Sequence, residues 1–269
     1  MSSFSEGNAP WKGNKKPGRK GPLGRGGFRR DAVSDDWVWG WHAVVAALAN
    51  PLREKPQRLI ATRDRAQTLK AQFGDHAAAE IVEPQAISQV LPQGAVHQGV
   101  ALKVAMLESA TLDQFVPAPG HVVLMLDQIT DPQNVGTILR SAAAFGAKGV
   151  ILQDRHAPKL TGTLAKAAVG AVDQIPVAYV VNLSRALETL ADMGWQTLGL
   201  DGAAETTLDQ ALTGEATVLV LGSEGEGLRR LVADHCDVLA KISMPGGLES
   251  LNVAAAGAIS LYEAAKIRR

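Results

Sequence analysis

Two mainly apolar runs, Val122–Leu126 and Thr217–Leu221, constrain the fold of this chain more than any other feature of its sequence. Runs of this length and composition are typical of strands buried on both faces of a parallel sheet. Four further strands are predicted at 149–152, 175–180, 197–200 and 238–242. Predicted helices alternate with them, at 134–145, 161–168, 183–193 and 251–266. This alternation predicts an α/β fold with a layered, mostly parallel sheet.

The composition narrows the class of protein further. The chain has 269 residues, 46% of them hydrophobic, which is enough for one large domain or two smaller ones. It contains no apolar run of about 18 residues and no apolar segment of the secretory type near its start, so neither a membrane nor a secreted protein is expected. The single cysteine, Cys236, excludes an internal disulfide, and no cluster has metal-ligand spacing. We therefore expect a cytoplasmic protein without a metal.

The first 36 residues are predicted to form a disordered basic arm. They are rich in Gly, Pro, Lys and Arg and contain few aliphatic residues that could be buried. Such an arm is attracted to nucleic-acid phosphates, but a solubilising tail would have the same composition. Both interpretations stay open at this point. The first 30 positions contain one acidic residue and eight basic ones. The basic residues are Lys12, Lys15, Lys16, Arg19, Lys20, Arg25, Arg29 and Arg30.

Order is predicted to begin near Trp37, with a small α/β unit over residues 37–106. Its predicted helices and strands alternate, at 38–50, 58–62, 65–73, 80–82, 84–90 and 97–104. Residues 107–120 are interpreted as a linker, or as a bridging helix followed by a turn, because Pro117, Pro119 and Gly120 end them. The larger α/β domain then covers residues 121–269. Structural roles are expected for the two histidines of the small unit, His42 and His97.

Three loops follow predicted strands, which is where ligand sites gather in open α/β sheets. In the first loop, Asn134 is predicted to cap a helix, Gly136 allows close approach in its first turn, and Arg140 offers a guanidinium fork suited to a phosphate or ribose. An ordinary capped helix with a surface arginine would have the same pattern. The segment 126–140 thus has both a functional and a purely structural interpretation.

The other two loops are rich in glycine. Residues 222–228 follow the strand Thr217–Leu221, and they lack the spacing of a phosphate-binding or dinucleotide-binding loop. Residues 242–252 lead into the last helix, which Ser250 or Asn252 is predicted to cap. A tight turn and an ordinary helix cap are the structural alternatives. His235 beside Cys236 is interpreted as a helix-end pair rather than a nucleophilic dyad.

Taken together, the three loops closely resemble the three motifs of the SpoU (TrmH) family of SPOUT RNA 2′-O-methyltransferases. The motifs as they stand here are DPQNVGTILR at 131–140, LGSEGEGL at 221–228 and ISMPGGLESLNVAAA at 242–256. The small unit adds GWHAV at 40–44 and HQGV at 97–100, which resemble the L30e-like RNA-binding domain of the branch that acts on ribosomal RNA. The resemblance covers residues 37–267.

The resemblance implies a C-terminal SPOUT domain with a parallel sheet and a deep trefoil knot, S-adenosylmethionine as cofactor, RNA as substrate and a homodimer. It places five residues in the catalytic site, namely Asn134, Arg140, Glu224, Ser250 and Asn252. It places six in contact with the methyl donor, namely Leu198, Gly199, Gly222, Ile242, Met244 and Leu251. Ribosomal RNA, most specifically a guanosine of 23S rRNA, is the expected target. Transfer RNA and a non-catalytic role in ribosome assembly are the alternatives.

The resemblance leaves the acceptor of the 2′-hydroxyl proton open. Arg140 is the family's usual candidate, but a guanidinium keeps its proton in proteins. We therefore favour a positioning role for Arg140, in which it holds the adjacent phosphate while water takes the proton. Asn134 and Glu224 are then expected to orient the reacting groups.

Overall fold

The computed structural model describes residues 36–155, 157, 158, 160, 162–247 and 250–267. The predicted basic arm, apart from Asp36, lies outside these residues and stays a prediction. Within the described part of the chain, no helix is long and apolar enough to cross a membrane.

The small unit contains a four-stranded sheet within the described residues. Its strands are β1 (Trp37–Trp39), β2 (Arg58–Ala61), β3 (Glu80–Ile81) and β4 (Val100–Lys103). Its helices are α1 (Trp41–Ala49), α2 (Arg63–Phe73) and α3 (Pro84–Val90). The strand order is β1-β4-β2-β3, with β4 antiparallel to both β1 and β2 and with β2 parallel to β3. The predicted α/β character of this unit is thereby confirmed.

The first predicted helix, 38–50, is wrong at its start. Trp37–Trp39 is a strand, and Val38 lies opposite Leu102 of β4. All three of its side chains are buried, which suits aromatic and β-branched residues in a sheet. Gly40, with φ of 90°, ends the strand, and α1 begins one residue later. A left-handed backbone at Gly40 therefore separates two elements that the hydrophobic pattern had joined.

The predicted strand 97–104 is shorter than expected because His97 takes part in a turn. Its Nδ1 accepts a hydrogen bond from the backbone N–H of Gly99 at 3.1 Å, and its Nε2 lies 3.2 Å from the Ser88 hydroxyl. Burial lowers the pKa of the His97 ring, which favours the neutral form that these contacts require. His97 thus has the structural role that was expected.

The larger unit contains a six-stranded sheet within the described residues. Its strands are β5 (Val122–Leu126), β6 (Gly149–Gln153), β7 (Val177–Val180), β8 (Gln196–Leu200), β9 (Thr217–Leu221) and β10 (Val238–Ala240). Its helices are α4 (Pro132–Ala144), α5 (Gly162–Ala167), α6 (Leu183–Asp192), α7 (Leu208–Ala211), α8 (Arg230–Ala233) and α9 (Val253–Ile267). Every neighbouring pair in the order β10-β8-β9-β5-β6-β7 is parallel. The predicted parallel sheet is confirmed.

Helices cover both faces of this sheet. Successive side chains of β5 pack alternately against the helices of one face and the helices of the other. Leu124 and Leu126 pack into the core formed with α4, α5 and α9, whereas Val123 and Met125 pack into the core formed with α6 and α8. All five β5 residues are buried. A strand with apolar side chains on both faces must have a layer of helices on each side. We call the two sides the α4/α9 face and the α6/α8 face.

The predicted linker, 107–120, packs against the large sheet. The backbone N–H of Ala110 donates to the Val177 carbonyl at 2.9 Å, and Ala110 pairs with Ala178 beside β7. Phe115 is buried against the start of β6, where a side chain at Gly149 would collide with its ring. This segment contains a 3₁₀ turn, Leu112–Gln114, rather than the alternative bridging helix.

A buried ion pair joins the small unit to the large one. The Arg53 guanidinium donates to Asp173 at 2.5 Å and to the Ala105 carbonyl at 2.8 Å. The Asn50 amide also donates to Asp173, at 3.0 Å. The Arg53 and Asp173 side chains are only 3% and 1% exposed, so water does not screen their attraction. Together with the packing of Trp39 against Gly162, this contact holds the two units together.

We predict that Asp173→Ala lowers the free energy of unfolding by about 3–5 kcal/mol, because it leaves the Arg53 charge buried and unpaired. The matched control is Glu80→Ala, which removes the partner of Arg58 from a pair whose side chains are 48% and 53% exposed. The control substitution should lower the free energy of unfolding by less than about 1 kcal/mol. Urea unfolding of both variants measures the difference. Equal losses would show that the buried pair does not hold the units together.

Candidate active site

The three loops singled out in the sequence lie together at the carboxyl edge of the large sheet. Loop 1 (residues 127–131) follows β5, loop 2 (residues 222–229) follows β9, and loop 3 (residues 241–252) follows β10. Residues 248 and 249 of loop 3 lie outside the described residues. Loops 1 and 2 are neighbours because β5 pairs with β9, and in a parallel sheet both strands end at the same edge.

Glu224, at the tip of loop 2, is the centre of a hydrogen-bond cluster. Its Oε1 accepts from the Asn252 amide at 2.5 Å, from the Asn134 amide at 3.3 Å and from the backbone N–H of Val253 at 3.2 Å. The Asn252 amide also donates to Asn134 Oδ1 at 3.1 Å. The structure thus brings together one predicted residue from each of the three motifs. We call Asn134, Glu224 and Asn252 the polar cluster.

The predicted helix caps are partly wrong. Asp131, not Asn134, caps α4, and its side chain accepts from the backbone N–H of Gln133 at 3.1 Å. Pro132 takes the first helical position, which moves the start of the helix two residues earlier than predicted. The Asn134 side chain is consequently available to the polar cluster.

Asn252 has the capping role that the sequence predicted. Its Oδ1 accepts from the backbone N–H groups of Ala254 and Ala255, at 3.0 and 3.3 Å, at the start of α9. Its amide nitrogen is left to donate to Glu224 and Asn134. One asparagine therefore orders the first turn of the helix and the polar cluster at the same time.

Loop 2 is folded back on itself. Ser223 and Gly227 exchange two backbone hydrogen bonds of 3.0 Å, and Gly225 and Gly227 have φ values of 87° and 68°. A side chain at Gly222 would collide with the Gly227 backbone. The glycines are thus needed for a turn that presents Glu224 at its tip.

A buried carboxylate anchors the end of loop 2. Asp127 is fully buried and accepts from the backbone N–H of Arg229 at 2.9 Å and from its side-chain Nε at 2.8 Å. The Arg229 guanidinium also donates to Gln153 at 3.1 Å. Loop 2 is therefore tied to the ends of β5 and β6, which restrains the position of Glu224. This anchor leaves no signal in the sequence, because neither residue lies in a motif with a recognisable spacing.

A cavity of about 500 Å³ lies beside the polar cluster, between loops 2 and 3 and the end of β8. Of the eleven predicted site residues, six line it, namely Gly222, Glu224, Ile242, Met244, Ser250 and Leu251. Leu200, at the end of the strand that the resemblance pointed to, also lines it, and so do three residues that the sequence did not indicate, Asp201, Gly202 and Ala203, which continue directly from β8. The place where β8 ends could have indicated them. We call this space the donor cavity, because several of the residues predicted to contact the methyl donor line it.

Leu198 and Gly199 lie beneath the donor cavity rather than on its wall. Leu198 is fully buried in β8. A side chain at Gly199 would approach Leu239, Leu228 and Cys236 to within 2.7 to 3.0 Å. Gly199 therefore lets loop 2 and β10 pack closely against β8, and its placement suits a supporting role.

Arg140 is separate from the polar cluster in this chain. It is exposed on α4, and within the described residues its side chain makes no hydrogen bond or ion pair and does not line the donor cavity. Its guanidinium is thus available to a ligand outside the cavity.

The structure supports the interpretation of His235 and Cys236 as a helix-end pair. His235 contacts the Leu231 carbonyl at 2.6 Å and Glu188 at 3.0 Å, while the Cys236 thiol donates to the Val232 carbonyl at 3.4 Å. Burial, with nearby Asp237 and Asp127, raises the pKa of Cys236 to about 12, so the thiol stays protonated. Among the described residues, no group of three His, Cys, Asp or Glu side chains is arranged to hold a metal ion.

Comparison with solved structures supports this architecture. An S-adenosylmethionine-bound rRNA methyltransferase from Sinorhizobium meliloti superposes with a TM-score of 0.73 at 26% identity, covering 86% of each chain. The SpoU methyltransferase AviRb from Streptomyces viridochromogenes, in complex with the same cofactor, has a TM-score of 0.73 at 23% identity, covering 86% of this chain and 89% of that one. The second likeness concerns the fold alone.

Sequence comparison identifies the family. The RlmB 23S rRNA (guanosine-2′-O-)-methyltransferase of Xylella fastidiosa is 37% identical over 243 residues, covering 87% of this chain and 97% of that protein. An uncharacterized tRNA/rRNA methyltransferase of Synechocystis is 40% identical over 240 residues. The matched part covers 85% of this chain and 62% of that relative's length. Residues 37–110 match the substrate-binding domain of RNA 2′-O ribose methyltransferases. Residues 121–262 match the SpoU rRNA Methylase family, and the chain belongs to that family.

Proposed function

We propose that this protein transfers a methyl group from S-adenosylmethionine to the ribose 2′-hydroxyl of a guanosine in 23S rRNA. The observation that carries the proposal is the polar cluster of Asn134, Glu224 and Asn252 beside the donor cavity, which Glu224 also lines. The RNA-binding family of the small unit and the likeness to RlmB support ribosomal RNA as the substrate. Because ribosomal RNA is the substrate, we place the reaction in the cytoplasm.

The residues of the donor cavity fit S-adenosylmethionine. Leu221, Ile242, Met244 and Leu251 supply apolar walls, and Glu224, Glu226 and Asp201 supply carboxylates. A cationic sulfonium is attracted to carboxylates, and the transfer of its methyl group removes that charge, which apolar walls favour. The cavity volume of about 500 Å³ is within the range of small-molecule sites. When bound, the cofactor supplies the activated methyl group.

The protein's own part in the reaction is mainly alignment. Glu224 holds Asn134 and Asn252 in one arrangement, and loop 2 is restrained by Asp127 and Arg229. A fixed set of amide groups can then orient the ribose, so that its 2′-oxygen lies in line with the methyl group. Arg140 holds the adjacent phosphate in this proposal, and water accepts the hydroxyl proton. Ser250 is exposed on the cavity wall, and in this proposal it contacts the same nucleotide.

The proposed function is tested by mapping ribose 2′-O-methyl groups on ribosomal RNA from cells with and without the protein. The expected result is the loss of one guanosine methylation in 23S rRNA and its return on re-expression. An unchanged rRNA map together with a lost methyl group on transfer RNA would favour the alternative substrate. Calorimetric titration with S-adenosylmethionine tests the non-catalytic alternative, which predicts no binding.

We predict that Glu224→Ala lowers kcat by about 100-fold, because Asn134 and Asn252 lose the acceptor that aligns them. Glu224→Gln keeps an acceptor oxygen and should retain more activity. The matched control is Glu215→Gln, at an exposed carboxylate before β9 that does not line the donor cavity and makes no hydrogen bond to either asparagine, and its kcat should change little. Single-turnover methyl transfer to 23S rRNA measures the effect. Normal turnover in Glu224→Ala would contradict a role for the polar cluster.

We also predict that Arg140→Lys lowers kcat/KM for RNA by about 10-fold or more, because lysine cannot form the two parallel bonds of a guanidinium with a phosphate. The Kd for S-adenosylmethionine should not change, since Arg140 does not line the donor cavity. Arg155→Lys, at another exposed arginine, is the control. A variant with wild-type kcat/KM would exclude the proposed phosphate contact.

We further propose that the protein acts as a homodimer through the α4/α9 face. Ala255, Ile259 and Tyr262 are exposed at helical spacing on α9, and Ile259 and Tyr262 are 37% and 52% exposed. Arg140 lies on the exposed side of the adjacent helix α4. An apolar stripe of this kind suits a self-complementary contact, which would bring Arg140 close to the partner subunit.

Ile259→Asp is expected to convert a dimer into a monomer of 28.3 kDa by placing a charge in the apolar contact. Leu52→Asp, at an apolar side chain that is 85% exposed on the small unit, is the control and should leave the assembly unchanged. Sedimentation velocity distinguishes the two masses. A wild-type protein that sediments as a monomer would refute the proposal.

The deep trefoil knot of the family is part of the same proposal. It is supported by the sheet order, in which β8 and β9 separate β10 from β5, and by the position of loop 3 against loop 2 and the end of β8. If the chain is threaded at this place, the residues of the knot also form the walls of the donor cavity.

A further inference from the structure

A second cavity, of about 680 Å³, lies on the α6/α8 face of the large sheet. It is formed by the start of α6, by α8 and by the end of β6. We call it the basic groove, because three of its lining side chains are arginines and Glu188 is the single carboxylate among its lining residues. Its lining residues include Gln153, Arg185, Glu188, Arg229, Arg230 and His235.

Two of the three arginines are free to bind a ligand. Arg185 is exposed, and within the described residues its side chain makes no hydrogen bond or ion pair. Arg230 is 84% exposed, and its contact with Asp234 is 3.7 Å long in an exposed pair. An exposed ion pair of this kind contributes little stabilising free energy, so it does not prevent Arg230 from binding a more strongly attracting anion.

The third arginine is held in place. Arg229 donates to Asp127, which is fully buried, and to Gln153, so its guanidinium has a fixed orientation at the groove. Glu188 is engaged by His235 at 3.0 Å. Three arginines thus line the groove against one carboxylate, Glu188, and Arg185 has no carboxylate partner within the described residues.

The groove and the donor cavity share one loop. Residues Gly222–Gly227 line the donor cavity, and the same chain continues through Arg229 and Arg230 into the groove. Both sites lie at the carboxyl edge of the sheet, on opposite faces. An elongated ligand with a reacting group at the donor cavity can therefore cross loop 2 and reach the groove.

The rim of the groove is apolar. Val181 and Leu231, which line the groove, are 69% and 59% exposed. A nucleic-acid strand has both a phosphate for a guanidinium and an apolar sugar or base surface for such side chains. The combination of exposed arginines and exposed aliphatic side chains thus matches the chemistry of a phosphodiester strand.

We propose that the basic groove binds the phosphodiester backbone of the substrate RNA, beside the nucleotide that is methylated. This inference rests on the proposed function, because it takes the ligand of the donor cavity and the ligand of the groove to be parts of one RNA. The groove extends the contact beyond the small unit, which packs on the opposite side of the sheet through α5.

The test uses Arg185→Gln, Arg230→Gln and the double variant of the full chain with in vitro transcribed 23S rRNA. Neither arginine belongs to the proposed catalytic or donor site. We expect the double variant to bind RNA about tenfold more weakly, with a salt slope smaller by roughly 0.7 to 0.9 for each phosphate contact removed. The KM for RNA should rise, while kcat at saturating RNA and the Kd for S-adenosylmethionine stay unchanged.

The matched control is Lys148→Gln, which removes an exposed charge just before β6, at the amino edge of the sheet. Its RNA affinity and salt slope should match those of the wild type. If the double variant keeps the wild-type salt slope and KM, the groove does not bind RNA and the inference fails. A failure of the proposed function is different, because the wild-type protein itself would then neither bind S-adenosylmethionine nor methylate RNA.

Discussion

The parallel pairing of β5 with β9 is the constraint on which the rest of the structure depends. Leu126 lies opposite Leu221, so both strands end at the same level and their loops leave the sheet side by side. Both strands are buried on both faces, and a shift of one residue would move every side chain to the wrong core. The packing of the core thus determines where the polar cluster forms.

Loop 2 connects the two faces of the sheet at this edge. Its tip, Glu224, faces the asparagines of the α4/α9 face, and its end, Arg229, faces the α6/α8 face and is anchored by Asp127. The glycines between them allow a turn that is short and closely packed. A rigid loop suits a reaction in which the protein mainly aligns two ligands, because displacement of the aligning groups slows transfer.

Much of the larger unit could be predicted from the sequence, because its long apolar runs and periodic helices produce strong local signals. The elements that the sequence analysis missed are short. Strand β1 has three residues, and helices α7 and α8 have four each, which is too few for a periodic pattern. The cap of α4 was misplaced because Asp131 and Asn134 are both good caps, and only the position of Pro132 decides between them.

The sequence by itself determined the parallel α/β architecture and the three loops at the carboxyl edge of the sheet, and its resemblance to the family motifs predicted that Asn134, Glu224 and Asn252 lie together. The tertiary structure alone decided that Glu224 is the common acceptor, that Asp127 anchors Arg229 and that Arg140 stands apart from the cavity. The reason is the distance along the chain. Asn134 is 90 residues from Glu224, and Asp127 is 102 residues from Arg229. Contacts between such distant residues leave no local pattern, and they follow only when the sheet has brought its strand ends together.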